Sequence, residues 1–206
     1  MNKIIQKCKL VPVVMLLASV CLLLISGCAR YARTVDTLYE PSATVRGGTG
    51  EIYILIPTER QTSSPAIKWV IGTVKDDDNK TIDELFSPRS PAEIIQEALA
   101  LEFKKAGYQV QSVTKRPASA ERVVDLTKTV IDLEQISDLA DLKATCRVLM
   151  AVDVYKNNQQ IKRLQYDATS SRTDITDRDL LARSALADAL QSVMREAMPD
   201  LHNLLK

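Results

Sequence analysis

A cysteine near the start of the chain, Cys28, stands where covalent chemistry on a thiol is plausible. It follows Ile25, Ser26 and Gly27, where an apolar stretch ends in two small side chains. The thiolate form of cysteine is a nucleophile, which a thioether-forming reaction needs. The apolar stretch, residues 10–25, follows three lysines and is shorter than the roughly 20 residues of a membrane-spanning helix. A basic start, a short apolar stretch and small residues are typical of a secretory signal peptide.

The four residues from Ile25 to Cys28 resemble the bacterial lipobox, which is an aliphatic residue, a small residue, Gly or Ala, and then Cys. The resemblance implies that signal peptidase recognises Ile25, Ser26 and Gly27 and cleaves before Cys28. It also implies a diacylglyceryl group on the Cys28 thiol and an acyl group on the new amino terminus. Two or three acyl chains would form a durable anchor, since each buried CH₂ contributes about 0.8 kcal/mol. The alternative is an uncleaved signal anchor with an incidental cysteine.

The residue after the cysteine bears on the destination of the protein. In enterobacterium-like systems an Asp at this position retains a lipoprotein in the inner membrane, and here the residue is Ala29. The resemblance therefore favours the periplasmic face of the outer membrane over the inner membrane.

Three segments are predicted along the chain. Residues 1–27 form a lipoprotein signal peptide that is removed, residues 28–49 form the lipidated N-terminus and a flexible tether, and residues 50–206 form a single periplasmic domain. Loss of three lysines changes the formal net charge from +1 to −2, which argues against a nucleic-acid partner. The remaining 179 residues suffice for one domain with an ordinary apolar core.

No catalytic constellation is visible, so the sequence predicts a protein that is not an enzyme and has no metal or cofactor. His202 is the only histidine, and a surface or helix-end position is expected for it. Cys146, the only cysteine that would remain without lipid, falls among the apolar positions of a predicted strand, which favours a buried thiol over a redox role. The run from Asp76 to Asp78 lacks the EF-hand spacing, so a solvated loop is favoured over a calcium site.

The elements that would position these residues follow the order β-β-α-β-β-β-β-α. Alternating apolar residues predict strands near 51–56, 67–74, 108–113, 123–133, 146–155 and 164–168. The strand near 123–133 changes phase midway, which indicates a β-bulge. The last two strands form an antiparallel hairpin. Together these patterns predict an α+β fold, with a mostly antiparallel sheet of five to six strands and two amphipathic helices packed on one face.

The two helices carry clear end signals. Ser90, Pro91 and Glu93 form a capping box with proline at the first helical position, and Gly107 ends that helix. The second helix is predicted to begin near Thr176, and Pro199 is predicted to kink or end it.

The outward face of the predicted hairpin mixes charges with an aromatic side chain. Its members are Arg147, Asp153, Tyr155, Arg163 and Asp167. Such a face suits a protein partner, and it equally suits a plain solvated sheet surface.

The assembled pattern resembles the YajG-type family of bacterial envelope lipoproteins. The resemblance rests on the lipobox, the strand "EIYILIP", the Gly72-Thr73-Val74 strand before an Asp-rich turn, and "SPAEIIQEALALEFKKAGYQV". The layout is also similar to auxiliary lipoproteins of envelope transport systems and to lipoproteins that activate cell-wall synthases. The YajG-type family carries no established catalytic residues, so the resemblance implies none here.

These patterns lead to one expected function and one alternative. The expected function is that of a lipid-anchored envelope lipoprotein, a non-catalytic binding, accessory or structural subunit for a protein partner in the envelope. The alternative is an auxiliary lipoprotein that binds lipid or a small ligand for an envelope transport system.

Overall fold

A computed structural model of the chain describes residues 33–42, 45–55, 68–137, 142–174 and 178–206. The chain divides into two units, Met1–Tyr31 and Ala32–Lys206, and the described residues belong to the second. Its elements in chain order are β1 (Arg33–Thr34), β2 (Glu51–Leu55), β3 (Trp69–Lys75), β4 (Thr81–Ser87), α1 (Pro91–Ala106), β5 (Gln109–Val113), β6 (Arg122–Ser137), β7 (Leu142–Lys156), β8 (Gln159–Asp174) and α2 (Arg178–Leu205).

The predicted sheet is wrong in strand number and in direction. The described strands form one mixed sheet of eight, in which four of the seven strand pairings are parallel: β1 with β4, β2 with β5, β2 with β6, and β3 with β6. The antiparallel pairings are β3 with β4 and the β6–β7–β8 meander. The fold remains α+β with two helices. Apolar alternation reports which face of a strand is buried, but it carries no information on the direction of a distant neighbour.

Strands β1 and β4 were missed for identifiable reasons. β1 is only two residues long, so it has no period. In β4, Ile82 is exposed while Leu85 is buried, and acidic residues lie between them. This edge region of the sheet therefore lacks the regular alternation that marks a half-buried strand.

β6 is the strand to which the other strands attach. On one side it pairs with β7 from Arg122 to Ser137. On its other side it pairs first with β2 and then, farther along, with β3. The backbones approach closely at Gly72 of β3, because a Cβ there would lie 1.8 Å from the Leu133 carbonyl oxygen.

The predicted bulge in β6 is confirmed. The register with β7 shifts between Leu126 and Lys128. Before the shift, Val124 and Leu126 are buried, and after it Ile131 and Leu133 are buried. The bulge thus returns the apolar residues of a 16-residue strand to one face despite their change of phase.

Both helices bury apolar side chains against the same core. α1 contacts β5 and β6, and α2 contacts β7 and β8. The predicted Ser90–Glu93 capping box is present, and Gly107 ends α1 with φ 110°. Pro199 was predicted to kink or end the second helix, and of these two effects the end is wrong, since α2 continues to Leu205. Its last turns are held by Leu201 and Leu205, both fully buried. The predicted start at Thr176 lies outside the described residues.

Residues 35–42, here called the strap, form a docked segment where the sequence predicts a flexible tether. Val35 is 2% exposed and Tyr39 is 7% exposed. The Tyr39 hydroxyl donates to Glu102 of α1 at 2.6 Å, and the Ser42 amide donates to the same oxygen at 2.7 Å. Arg89 donates to Asp36 at 2.6 Å. The folded region therefore begins well before residue 50.

Glycines near residue 48 explain why residues 28–49 have the composition of a linker. A Cβ on Gly48 would lie 2.4 Å from the Tyr108 ring, so only glycine lets the backbone pass there. The Gly48 amide donates to the Ala106 carbonyl at 2.8 Å, and Gly50 has φ 80°. These glycines permit close packing against the end of α1 rather than free motion.

We expect Tyr39→Phe to lower the free energy of unfolding by about 2 kcal/mol, because it removes a buried hydrogen bond to a carboxylate. The matched control is Tyr53→Phe, since Tyr53 donates to Glu51 at 2.9 Å on the exposed surface. That variant should change stability by less than about 0.5 kcal/mol. Urea unfolding measures both values. Equal losses in the two variants would mean that the Tyr39–Glu102 hydrogen bond stabilises the fold no more than an exposed hydrogen bond does.

Candidate functional site

The residues predicted to be lipidated or recognised by signal peptidase lie outside the described part of the chain. They are Ile25, Ser26, Gly27 and Cys28. Their roles stay predictions. Among the described residues, no helix combines the length and apolarity needed to cross a bilayer.

Cys146 is buried as predicted. It lies on the core side of β7 with no exposed surface. Burial raises the pKa of its thiol to about 12, with a smaller contribution from Asp132. A thiol with so little thiolate is a poor nucleophile, so its position suits packing.

The Asp76–Asp78 run forms a turn between β3 and β4. Asp76 accepts a hydrogen bond from the Lys80 amide at 2.8 Å, and Asn79 has φ 62°. Asp77 and Asp78 are exposed. No group of three or more potential metal ligands occurs among the described residues.

His202 lies near the end of α2 but not at the surface, which corrects part of the prediction. It is 4% exposed. Its Nδ1 is 2.8 Å from the Tyr108 hydroxyl, and the two rings meet edge to face with centroids 5.7 Å apart. Burial lowers the pKa of His202, and nearby Lys206 lowers it further. This pair joins α2 to the segment after α1 inside the core.

The open face, defined here as the outward side of β6, β7 and β8, gathers the polar residues that the sequence grouped. The opposite side faces α2, as the 3.0 Å hydrogen bond from Tyr166 to Asp200 shows. Arg147 donates to Asp167 at 2.9 and 3.1 Å. Arg163 donates to Asp153 at 2.6 and 2.7 Å. The predicted shared face is therefore confirmed.

A further aspartate, Asp125, lies on this face and was not identified from the sequence. The registers place Asp125 opposite Asp153, and Asp153 opposite Arg163, in one row across three strands. Burial raises the pKa of Asp125, and the negative charge of Asp153 raises it further, while Arg116 opposes both. Hydrogen bonds from Arg163 hold the pKa of Asp153 below its ordinary value. Two adjacent carboxylates thus have opposite pKa shifts.

An aromatic and cationic rim borders this row. The Arg116 guanidinium carbon lies 3.6 Å from the centroid of the Tyr155 ring. A cleft of about 380 Å³ lies at the same end of the sheet, since Val123 pairs with both Tyr53 and Tyr155. The cleft is lined by Gly50, Glu51, Tyr53, Ser119, Glu121 and Arg122. Stacked arginine, tyrosine and paired charges are residue types that recognise polar partners.

Chemically, this arrangement suits binding. A carboxylate pair with divergent pKa values is a pattern of acid–base sites. Here Asp153 is held by a two-point contact with Arg163, which keeps its lone pairs occupied. The sole histidine is in the core on the other side of the sheet, paired with Tyr108. A partner carrying complementary charges could exchange contacts with these arginines.

No family model matches the chain, and no curated protein matches its sequence. Three solved structures align with the larger part of it. A Xanthomonas campestris protein of the DUF330 family is 12% identical with a TM-score of 0.48, over 85% of this chain and 94% of that one. The minor lipoprotein of Acinetobacter baumannii is 11% identical with a TM-score of 0.38, over 80% and 95%. Rare lipoprotein B of Shewanella oneidensis is 12% identical with a TM-score of 0.34, over 65% and 97%.

We expect Asp153→Asn to lower the pKa of Asp125 towards its ordinary value without reaching it. The substitution removes the second cause of the raised pKa, while burial remains. Carboxyl-carbon NMR titration measures the change. Asp167→Asn is the control, because it removes a carboxylate from the same face that pairs with Arg147. An unchanged Asp125 pKa in Asp153→Asn would show that the two carboxylates do not interact.

The single histidine makes a second titration direct, because its ring protons give one resolvable set of NMR signals. We expect a midpoint below 6.5 in the folded chain and near 6.5 in urea. As the pH falls, His202 therefore becomes protonated at a higher pH in the unfolded state than in the folded state. The free energy of unfolding should therefore be constant above about 6.5 and fall as the pH drops towards the folded pKa. A folded midpoint at or above 6.5 would contradict the burial of His202.

Proposed function

We propose that this chain is a lipid-anchored bacterial envelope lipoprotein that acts as a non-catalytic accessory subunit and binds another envelope component through the open face. The observation that carries the binding role is the set of exposed charged side chains on that face, among which Leu149, Ala151 and Asp153 are buried. Arg163 and Asp167 are exposed on β8, and both helices pack on the opposite side of the meander. The anchoring role rests on the residues from Ile25 to Cys28.

The charges of the open face support recognition of a charged partner. The side chains of Arg147 and Arg163 are 55% and 69% exposed, so part of each guanidinium is free to meet incoming acidic groups. Exposed ion pairs contribute little to folding, typically up to about 1 kcal/mol. Loss of the exposed Arg147–Asp167 pair on partner binding would therefore cost little stability, whereas Asp153 is buried and needs its contact with Arg163.

The proposal includes the periplasmic face of the outer membrane as location and the YajG-type family as kin. Ala29 after the lipidated cysteine supports the location. The family assignment rests on the sequence resemblance. Membership would be supported by a matching partner or gene context in other members.

The alternative, a small-ligand carrier, is favoured by the cleft beside Tyr53. Its lining is polar, with Glu51, Glu121 and Arg122 among its residues. Such a cleft suits a polar ligand better than an acyl chain. Native mass spectrometry of protein purified from the envelope would reveal a stoichiometric ligand, which Arg122→Ala should release if the cleft holds it.

For the anchor, we expect Cys28→Ser to abolish processing and acylation, because serine lacks the thiol for the thioether. Intact-mass spectrometry should show a chain that retains residues 1–27, and carbonate extraction should show how each form is held to membranes. The control is Cys146→Ser, which removes a buried thiol and should leave processing unchanged. Normal cleavage and acylation in Cys28→Ser would overturn the anchoring role.

For the partner, a photoreactive amino acid at exposed Gln165 of the open face should crosslink in living cells to one species of defined mass. The same group at exposed Arg183 of α2 is the matched control. Adding Arg147→Glu and Arg163→Glu should reduce the Gln165 crosslink at least fivefold. Equal crosslinking from both positions, insensitive to these charge reversals, would remove the open face from the proposal.

A further inference from the structure

The chain enters the domain at one edge of the sheet. Arg33 and Thr34 pair in parallel with Leu85 and Phe86 of β4. The Val35 amide continues this contact by donating to the Phe86 carbonyl at 2.7 Å. Among the described strands, β4 is the only neighbour of β1. From residue 33 onward the backbone is therefore held against β4 and then α1.

Few residues separate this edge from the predicted anchor. Only residues 29–32 lie between Cys28 and Arg33. A chain spans at most about 3.6 Å per residue, so the two Cα atoms are no more than about 18 Å apart. The 15 residues of β7, in contrast, extend over about 50 Å at about 3.3 Å per residue. An anchor at Cys28, which is part of the proposed function, would keep the β1 edge near the bilayer.

Apolar side chains are exposed at this same edge. Val70 of β3 pairs with Phe86 of β4, which in turn pairs with Thr34 of β1. Val70 is 52% exposed, and Ile82, on the same side of β4 as Phe86, is 40% exposed. We call Val70, Ile82 and Phe86 the edge patch. Lys68 is exposed just before β3, and Glu84 is exposed between Ile82 and Phe86.

We infer that the edge patch is the membrane-contact surface of the anchored protein, and that its occupant is the lipid surface itself. The inference rests on the proposed lipidation of Cys28. The short connection brings the β1 edge of the sheet to the bilayer. Transfer of exposed Val and Ile side chains from water to the interfacial region lowers the free energy of the system. Lys68 beside the patch suits anionic headgroups, while Glu84, exposed between Ile82 and the half-buried Phe86, opposes them.

Sheet twist separates this surface from the open face. Adjacent strands rotate by roughly 20 to 25°, and three strand-to-strand steps lead from β4 through β3 and β6 to β7. The two surfaces are therefore inclined to each other by roughly 60 to 75°. With the edge patch on the bilayer, Arg163, the exposed end of the Asp125–Asp153–Arg163 row, stays accessible to a partner in the periplasm.

The test uses the full chain, purified in lipidated form and reconstituted in vesicles of phosphatidylethanolamine and phosphatidylglycerol. An environment-sensitive fluorophore is attached at Ile82→Cys. The matched control is Ile161→Cys on β8, since Ile161 is 43% exposed. Cys146 is buried with a raised thiol pKa, so it stays unlabelled in the folded protein. Spin-labelled lipids in the vesicles quench any fluorophore that contacts the bilayer.

We expect quenching at position 82 to exceed that at position 161 by at least threefold, with a blue-shifted emission at position 82 only. Equal quenching at both positions, or none at position 82 in vesicle-bound protein, overturns the edge patch as the contact surface. Mass spectrometry of the N-terminal peptide distinguishes failure of the contact surface from failure of the proposed anchor. A Cys28 without diacylglyceryl overturns the proposed anchor and the inference together.

Discussion

The structure depends on one strand, β6, which pairs with two different strands along the same side. β6 is long enough to pair with β2 near its start and with β3 near its end, while β7 covers its other side throughout. A bulge between Leu126 and Lys128, in the pairing with β7, keeps the apolar residues of β6 on the core side. The close pairing with β3 demands a residue without a side chain at Gly72, where β3 meets the Leu133 carbonyl. The two helices cover one face of the sheet, whose strand order is set by the pairings of β6.

The two faces of this sheet differ in how their ionisable side chains are accommodated. On the core side, burial lowers the pKa of the one histidine, which is paired with Tyr108. On the open face, charges are kept in cross-strand pairs, and the Asp125–Asp153–Arg163 row concentrates them at one end. The exposed Arg147–Asp167 pair contributes little to stability, whereas the Arg163–Asp153 pair holds a carboxylate that is 4% exposed. The cleft beside Tyr53 adds a polar concavity to the same end.

Local signals were readable from the sequence and non-local ones were not. The capping box at Ser90, the bulge in β6 and the burial of Cys146 each depend on residues close together in the chain, and each is present. Parallel pairing of β2 with β6 joins segments about 70 residues apart, and apolar period does not encode it. Asp125 escaped notice because its significance comes from Asp153 on another strand. Residues 28–49 have the composition of a linker because they end in glycines, which permit both freedom and close approach.

The position of the strap gives the domain a variable reach. The strap lies in series between the predicted anchor and the core, held by Tyr39 and Ser42 on Glu102 and by Arg89 on Asp36. While it is docked, Arg33 stays within about 18 Å of the Cys28 Cα atom. Release of residues 33–49 would leave up to about 80 Å of extended chain between Cys28 and Gly50, at about 3.6 Å per residue. A pulling force between the anchor and a distant partner would break these few hydrogen bonds first. The strap would therefore detach from the domain before the sheet unfolds.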